Sequence, residues 1–374
     1  MKKFLRKLAL FALLLTPLFA LPAGVLLLSG ELIPVECVAR AQFQGGRPIY
    51  FGCAYSEPAA LLKLRGTQLR RPEVLALGTS RVLQFRSEFF KPAVNFYNAG
   101  LAIENLSDIR EFIERLPRGS EPKVLIAGLD QRTFNPRDRS NSPGGIRATL
   151  ADARSPRRIL RTFTDNWRKL YADYRAGKIP LARLRAREDG VRRIGLRAVV
   201  DGDGFRNDGS YYYARNITGG LRNLDEGLHR IRNGGYRFDY GQEVAPGALV
   251  ELRRLLDLCR ERRIHLVAFL PPYAGVAYEE LRATGRHGYI FAIEPLARPI
   301  FEQHGFTLHD FSNLGALGIP DTESYDVYHP TEKGTLRMFL RLLTLEPALA
   351  PYTDPDALQA ALIRSSSDFY VFEN

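Results

Sequence analysis

Two rhythms of hydrophobic residues alternate along this chain. Short apolar runs rich in β-formers, each ending in small or polar residues, occur at Val74–Gly78, Val94–Tyr97, Val124–Gly128 and Ile264–Leu270, with a weaker fifth at Thr307–Phe311. Between them lie stripes with a period of about 3.6 residues. Ile103, Leu106, Ile109, Phe112, Ile113 and Leu116 form one stripe, and Leu249, Leu252, Leu255, Leu256 and Cys259 form another. A third helix is predicted to start near Pro330, with proline in its first turn, and to run through Met338, Phe339, Leu342 and Leu343. Strands alternating with helices predict an α/β fold, with a parallel sheet of about five strands covered on both faces. In such sheets functional groups gather at the carboxyl ends of the strands.

The third and fourth strands are separated by residues 131–247, far more than an ordinary connection needs. This stretch is expected to be an insertion or lid with structure of its own. It contains a helical apolar stripe of Leu160, Phe163, Trp167, Leu170 or Tyr171, and Tyr174, bordered by Arg157, Arg158, Arg161, Arg168, Lys169 and Arg175. Its turn-rich segment Asp201–Ser210 superficially resembles a calcium loop. Phe205 and Tyr212, however, stand where oxygen ligands are needed. A turn leading into a short strand at Tyr211–Tyr213 is the preferred expectation. The organisation expected is residues 1–30 as membrane anchor or signal peptide, 31–69 as juxtamembrane segment, 70–130 and 248–350 as two parts of one core, 131–247 as the insertion and 351–374 as a tail.

The N-terminus gives the expected compartment. Lys2, Lys3, Arg6 and Lys7 precede an apolar run from Leu8 to about Ser29 that contains no charge. About 20 apolar residues span a bilayer, whereas a signal-peptide core is about 7–15. A retained transmembrane helix kinked at Pro17 and Pro22 is therefore expected, with a cleaved signal as the alternative. Ala39-Arg40-Ala41 resembles a cleavage site but lies well beyond the run. Either way the N-terminal cations stay inside, and the rest of the chain is expected to face the extracytoplasmic, periplasmic side of the cytoplasmic membrane.

Composition matters chiefly through where the charge lies. The 374 residues include 53 Lys and Arg against 41 Asp and Glu, a formal charge of +12. Residues 131–200 hold 18 of the basic and 6 of the acidic residues, and the remainder is balanced. An exported basic segment points to an anionic glycan or an anionic lipid surface rather than to nucleic acid. Three cysteines do not make a disulfide scaffold. Cys37 and Cys53 lie where oxidation is permitted, so a bridge between them is left open. Cys259 is expected in the core.

Two places carry candidate chemistry. Ser80 follows the first predicted strand in Leu77-Gly78-Thr79-Ser80-Arg81, where Gly78 permits a sharp turn. Asp326 and His329 stand three apart in Tyr325-Asp326-Val327-Tyr328-His329-Pro330, just before the final helix. A carboxylate so placed can fix an imidazole tautomer and leave the other ring nitrogen to take a proton from a hydroxyl. Each feature alone also suits a helix cap. The other histidines, His229, His265, His287, His304 and His309, show no metal-binding spacing and are expected in structural or surface roles. No cofactor or metal is expected.

Together the two motifs resemble the SGNH, or GDSL-type, serine hydrolases. Gly78-Thr79-Ser80-Arg81 is similar to the family's first block, Asn98-Ala99-Gly100 to its second and Asp326-Val327-Tyr328-His329-Pro330 to its fifth. The resemblance covers residues of about 70–130 and 248–345. It implies a three-layer α/β/α domain with Ser80 as nucleophile, His329 as base and then acid, and Asp326 as its orienter. It also implies an oxyanion hole formed by the backbone N–H groups of Ser80 and Gly100, donors typically worth about 3–4 kcal/mol each. Asn98, Arg81 and Arg132 are further candidates for contact with substrate or charge.

One block departs from the family pattern. Gly128-Leu129-Asp130-Gln131 places Asp130 where the family has an asparagine that donates to the oxyanion. Asp130 is protonated, or turned away to pair with Arg81 or Arg132, or the hole works with two donors; pairing is the preferred expectation. The motif order, the N-terminal apolar run and the long insertion are similar to membrane-anchored proteins that D-alanylate teichoic acids or O-acetylate polysaccharides. Those work beside a multi-spanning membrane acyltransferase, which the resemblance implies as a partner here. An acyltransferase or esterase acting on envelope polysaccharide is therefore expected. The alternatives are a catalytically degenerate glycan-binding or scaffold protein and a membrane-surface lipid esterase.

Overall fold

The computed structural model describes residues 1–372, apart from 57, 139–144, 156 and 186–189 and the side chains of 5, 8–10, 12–18, 153, 154, 159 and 185. The described residues divide into two compact units. One is formed by residues 59–150, 208–211 and 216–374, the other by 1–58, 151–207 and 212–215.

The first unit is built on a five-stranded parallel sheet: β1 (Val74–Gly78), β2 (Phe96–Gly100), β3 (Val124–Gly128), β4 (His265–Leu270) and β5 (Thr307–Asp310), in the order β2-β1-β3-β4-β5. Every residue of β1, β2 and β3 is buried, as expected of a parallel sheet covered on both faces. Val74, Ala76, Val124, Ile126, Val267 and Phe269 point to one face. There they pack with Leu336, Met338, Phe339 and Leu342 of the helix Glu332–Leu345 and with Phe85 and Phe89. By strand alternation Leu75, Leu77, Leu125, Ala127, Leu266 and Ala268 point the other way, and they are equally buried. The helix Pro246–Glu261 keeps the predicted stripe, with Leu252, Leu255, Leu256 and Cys259 all at 0% exposure. Burial pushes the Cys259 thiol up to about 12, which makes it an unreactive core residue.

Two local expectations are corrected, and a bridge left open is answered. The second strand begins at Phe96 and runs to Gly100, because Asn98-Ala99-Gly100 continues the ladder opposite Ala76-Leu77-Gly78. Pro330 lies before the final helix, whose N-cap is Thr331; the Thr331 hydroxyl accepts the Gly334 N–H at 3.2 Å. No disulfide joins Cys37 to Cys53 among the described residues.

The second unit contains the helices Lys2–Leu28, Val35–Gln44 and Arg158–Arg175 and a small sheet. In that sheet Arg192–Ile194 runs parallel to Ile49–Phe51, and Phe205 pairs antiparallel to Phe51. Its core gathers Val25, Leu26, Leu170, Ile179 and Leu196. The stripe expected on Arg158–Arg175 is only partly spent there: Leu170 is buried, while Leu160 and Tyr174 are exposed. Residues 131–247 are thus distributed over both units, and residues 31–69 likewise, since Ala59–Arg70 is a helix of the first unit. Among the described residues no helix is long and apolar enough to cross a membrane. Lys2–Leu28 is helical, and most of the apolar run expected to span a membrane, the side chains at 8–10 and 12–18, lies outside the described residues.

Candidate active site

The strand order β2-β1-β3 means that the chain leaves β1 towards one side and later returns on the other. The carboxyl end of β1 is therefore the crevice where such sheets bind ligands. Thr79 caps a short 3-10 turn, Ser80–Val82, at this point. The turn fits because the adjoining strands end in glycine. A Cβ on Gly78 would stand 2.8 Å from a methyl of Val82, on Gly100 2.9 Å and on Gly128 2.5 Å, all closer than real contacts allow. Val82 occupies the space these glycines leave, which seats the turn and holds Ser80 at the sheet edge.

The segment before the last helix reaches the same place. Ser80 Oγ lies 2.8 Å from His329 Nε2. His329 Nδ1 lies 2.9 and 2.8 Å from the two carboxylate oxygens of Asp326. With Nδ1–H donated to Asp326, Nε2 is the acceptor for the Ser80 hydroxyl. Asp326 Oδ1 also accepts the N–H groups of Tyr328 at 2.7 Å and His329 at 2.9 Å, so the three-residue spacing is built by the aspartate itself. Burial works to raise the Asp326 carboxyl, but the His329 charge and hydrogen bond and the two N–H donors outweigh it and hold it down to about 2. Ser324, not singled out from the sequence, clamps this turn: its hydroxyl shares its one proton between Asp326 O at 2.7 Å and His329 O at 3.0 Å. This chain of groups can draw a proton from a serine hydroxyl and stabilise the resulting imidazolium.

Asp130 lies beneath Ser80 in a buried ionic network. Thr79 donates to it at 3.0 Å and Arg81 at 3.3 Å, and Arg132 Nε stands 3.7 Å away. Burial favours its neutral form, but Arg81, Arg132 and Arg237 together hold its carboxyl below the ordinary carboxylate range. Asp130 is thus ionised and turned towards arginines. Arg81 and Arg132 are spent in the same network, which corrects their expected role as substrate contacts. Arg81 donates to Gln131 Oε1 at 2.5 Å and Pro271 O at 2.7 Å and lies 4.4 Å from the Tyr273 ring centre. Arg132 donates to Asp138 at 3.1 Å and Glu104 O at 3.0 Å.

Two further expectations are corrected on the β2 side. Asn98 is fully buried; its amide donates to Val82 O at 2.7 Å and Phe85 O at 2.8 Å, so it braces the serine turn rather than touching substrate. Its Oδ1 accepts the Gly100 N–H at 2.7 Å, which takes the expected second oxyanion donor. The Ser80 N–H makes no hydrogen bond among the described residues and remains available.

The other histidines have structural partners where their contacts are described. His265 and His309 both reach Glu346, at 3.1 and 3.3 Å, and their hydrogen bonds pull its carboxyl down to about 2. His287 is buried against Thr284 and Phe238 O, and burial lowers its pKa. Phe238 itself stacks on Tyr328 at 4.6 Å, which fixes its loop against the residue that precedes His329. No sequence signal marked that loop. The chain matches no family model, no curated protein and no solved structure.

Proposed function

We propose that this chain is an extracytoplasmic serine acyltransferase or esterase of SGNH type, acting on O-acyl groups of cell-envelope or secreted polysaccharide. The observation that carries the proposal is the continuous Ser80–His329–Asp326 hydrogen-bonded chain at the carboxyl end of β1. Ser80 Oγ attacks the acyl carbonyl while His329 Nε2 takes its proton. His329 then gives that proton to the departing oxygen, leaving an acyl-Ser80 ester. A sugar hydroxyl or water, deprotonated by His329 in turn, attacks this ester and releases Ser80. Asp326 keeps the ring oriented throughout. The Ser80 N–H is the donor placed to meet the oxyanion. No cofactor is needed.

The remaining parts of the proposal are membrane anchoring through residues 1–30 and approach of the basic 131–200 stretch to an anionic glycan or anionic lipid. An acyl donor would be delivered by a multi-spanning membrane acyltransferase. A fluorophosphonate probe applied to the folded full-length chain should label Ser80 and fail to label Ser80→Ala. Lack of labelling on folded protein would sink the proposal. A second reading, a glycan-binding protein without turnover, draws support from the hydrogen bond that occupies the Gly100 N–H and from the ionised Asp130. Full polymer modification in cells carrying Ser80→Ala would select it.

A further inference from the structure

Arg237 is an arginine that the fold leaves without a hydrogen-bonded or ion-paired carboxylate among the described residues. Its neighbours on the same side of the unit are committed to carboxylates: Arg230 to Glu226, Arg232 to Glu280 and Arg132 to Asp138. Arg237 is half-buried, yet no hydrogen bond or ion pair holds its guanidinium among the described residues. Its described contact is with the Tyr236 ring, 5.1 Å away. It does feel Asp130, whose carboxyl it helps to keep ionised, but Arg81 and Arg132 stand closer in that role.

The backbone that presents Arg237 is strained and anchored. Tyr236 and Arg237 are consecutive non-glycine residues at positive φ, 21° and 69°. Such conformations persist only where surrounding structure enforces them, and they collect at functional sites. The enforcement is visible one residue on. Phe238 is buried, stacks on Tyr328 at 4.6 Å and lies 6.3 Å from Tyr273; its N–H donates to Gly235 O at 3.1 Å and its O meets the His287 ring at 3.2 Å. Tyr328 precedes His329 in the chain. The loop is thus locked to the segment that carries the imidazole, and the unpaired guanidinium at its bend lies close enough to the site for its charge to act on Asp130.

We infer that Arg237 is a specificity-determining residue which holds an oxyanion group of the substrate, a sugar carboxylate or a phosphate, while the acylated or accepting hydroxyl lies at Ser80 and His329. A planar guanidinium matches both groups through paired N–H donors, and burial strengthens the contact. This inference rests on Ser80 and His329 being the reacting centre.

The test measures binding rather than turnover. Full-length Ser80→Ala protein is titrated with methyl glucuronate glycoside, glycerol phosphate and neutral methyl glucoside, alone and with Arg237→Gln or Arg237→Lys added. At least one anion is expected to bind about tenfold or more tighter than the neutral sugar. Arg237→Gln should remove that preference and Arg237→Lys should keep part of it, with unchanged melting of the fold in both. The better anion identifies carboxylate or phosphate as the source. Equal affinity for charged and neutral ligands, or a preference that survives Arg237→Gln, would overturn the inference. Fluorophosphonate labelling of the unsubstituted chain separates the two claims. Anion selectivity without labelling would keep the Arg237 anion contact but remove the serine enzyme and with it the specificity role; labelling without selectivity would keep the enzyme and overturn the inference.

Discussion

Asparagine at position 130 would recreate the residue type that the resembled family uses as an oxyanion donor, and the structure predicts that it does harm. The Arg81 side chain is 1% exposed and that of Asp130 3%, so neither charge has water to fall back on. Neutralising one partner of a buried pair leaves the other uncompensated and typically costs about 3–5 kcal/mol. Here the cost should fall at the lower end, near 3 kcal/mol. An amide oxygen can still accept from Thr79, and Arg81 keeps Gln131 Oε1 and Pro271 O. Because Thr79 is tied to Asp130 and precedes Ser80, a shift of the carboxylate is passed directly to the reacting hydroxyl. Labelling of Ser80 by a fluorophosphonate should slow by about ten- to a hundredfold, the scale expected when a reacting group is misplaced by an ångström or less. Urea unfolding of Asp130→Asn against the parent chain gives the stability change, and labelling kinetics give the second number. The double variant Asp130→Asn with Arg81→Met should cost less than the two single changes added, because the pair is removed together. Unchanged stability, or faster labelling in Asp130→Asn, would refute the view that this carboxylate serves the arginines and not the oxyanion.

Asp326→Asn should reduce acylation of Ser80 at neutral pH by about 10⁴-fold, since the amide no longer fixes the imidazole tautomer; labelling at the parental rate would remove Asp326 as orienter. The same carboxyl is held down to about 2 in the fold, whereas an unfolded aspartate titrates near 3.9. Its stabilisation is therefore complete above about pH 4 and lost as pH falls towards 2, so the acid limb of the unfolding profile should be shallower in Asp326→Asn than in the parent. Gly128→Ala would put a Cβ 2.5 Å from Val82 Cγ1 and should cost about 1–3 kcal/mol in chemical denaturation. Adding Val82→Ala should recover part of that loss, and no recovery would show that the clash lies elsewhere.

Val74–Gly78 and Val124–Gly128 were readable to the residue because a buried parallel strand is a continuous apolar run and glycine closes each one. The second strand runs past the apolar pattern because its last three residues include an asparagine, and a polar residue in a run signals an end unless its partners are known. Two of those partners, Val82 O and Phe85 O, lie on another segment, and spacing carries no trace of them. Ser80, Asp326 and His329 were legible for a different reason: serine after a strand and the Asp-x-x-His turn are each local in sequence, and the sheet order joins them. The direction of an N–H vector is not local, so Gly100 looked available and is not. Arg81 and Arg237 are both arginines near the same crevice. Only tertiary packing distinguishes the one buried against Tyr273 from the one left unpaired at a strained bend.

The hydrogen bond between Ser80 and His329 closes a span of 249 residues. During synthesis the serine turn is complete long before the imidazole exists, by an interval of ten seconds or more at rates of about 5–20 residues per second. Until the final segment docks beside β1, Ser80 is an ordinary hydroxyl without a base. On the proposed function, reactivity is switched on only when the segment carrying His329 docks beside β1, and a nascent chain that lacks it is silent towards acyl groups. Labelling of Ser80 would then count only molecules whose first and last core segments have found each other, which makes it a direct gauge of completed folding.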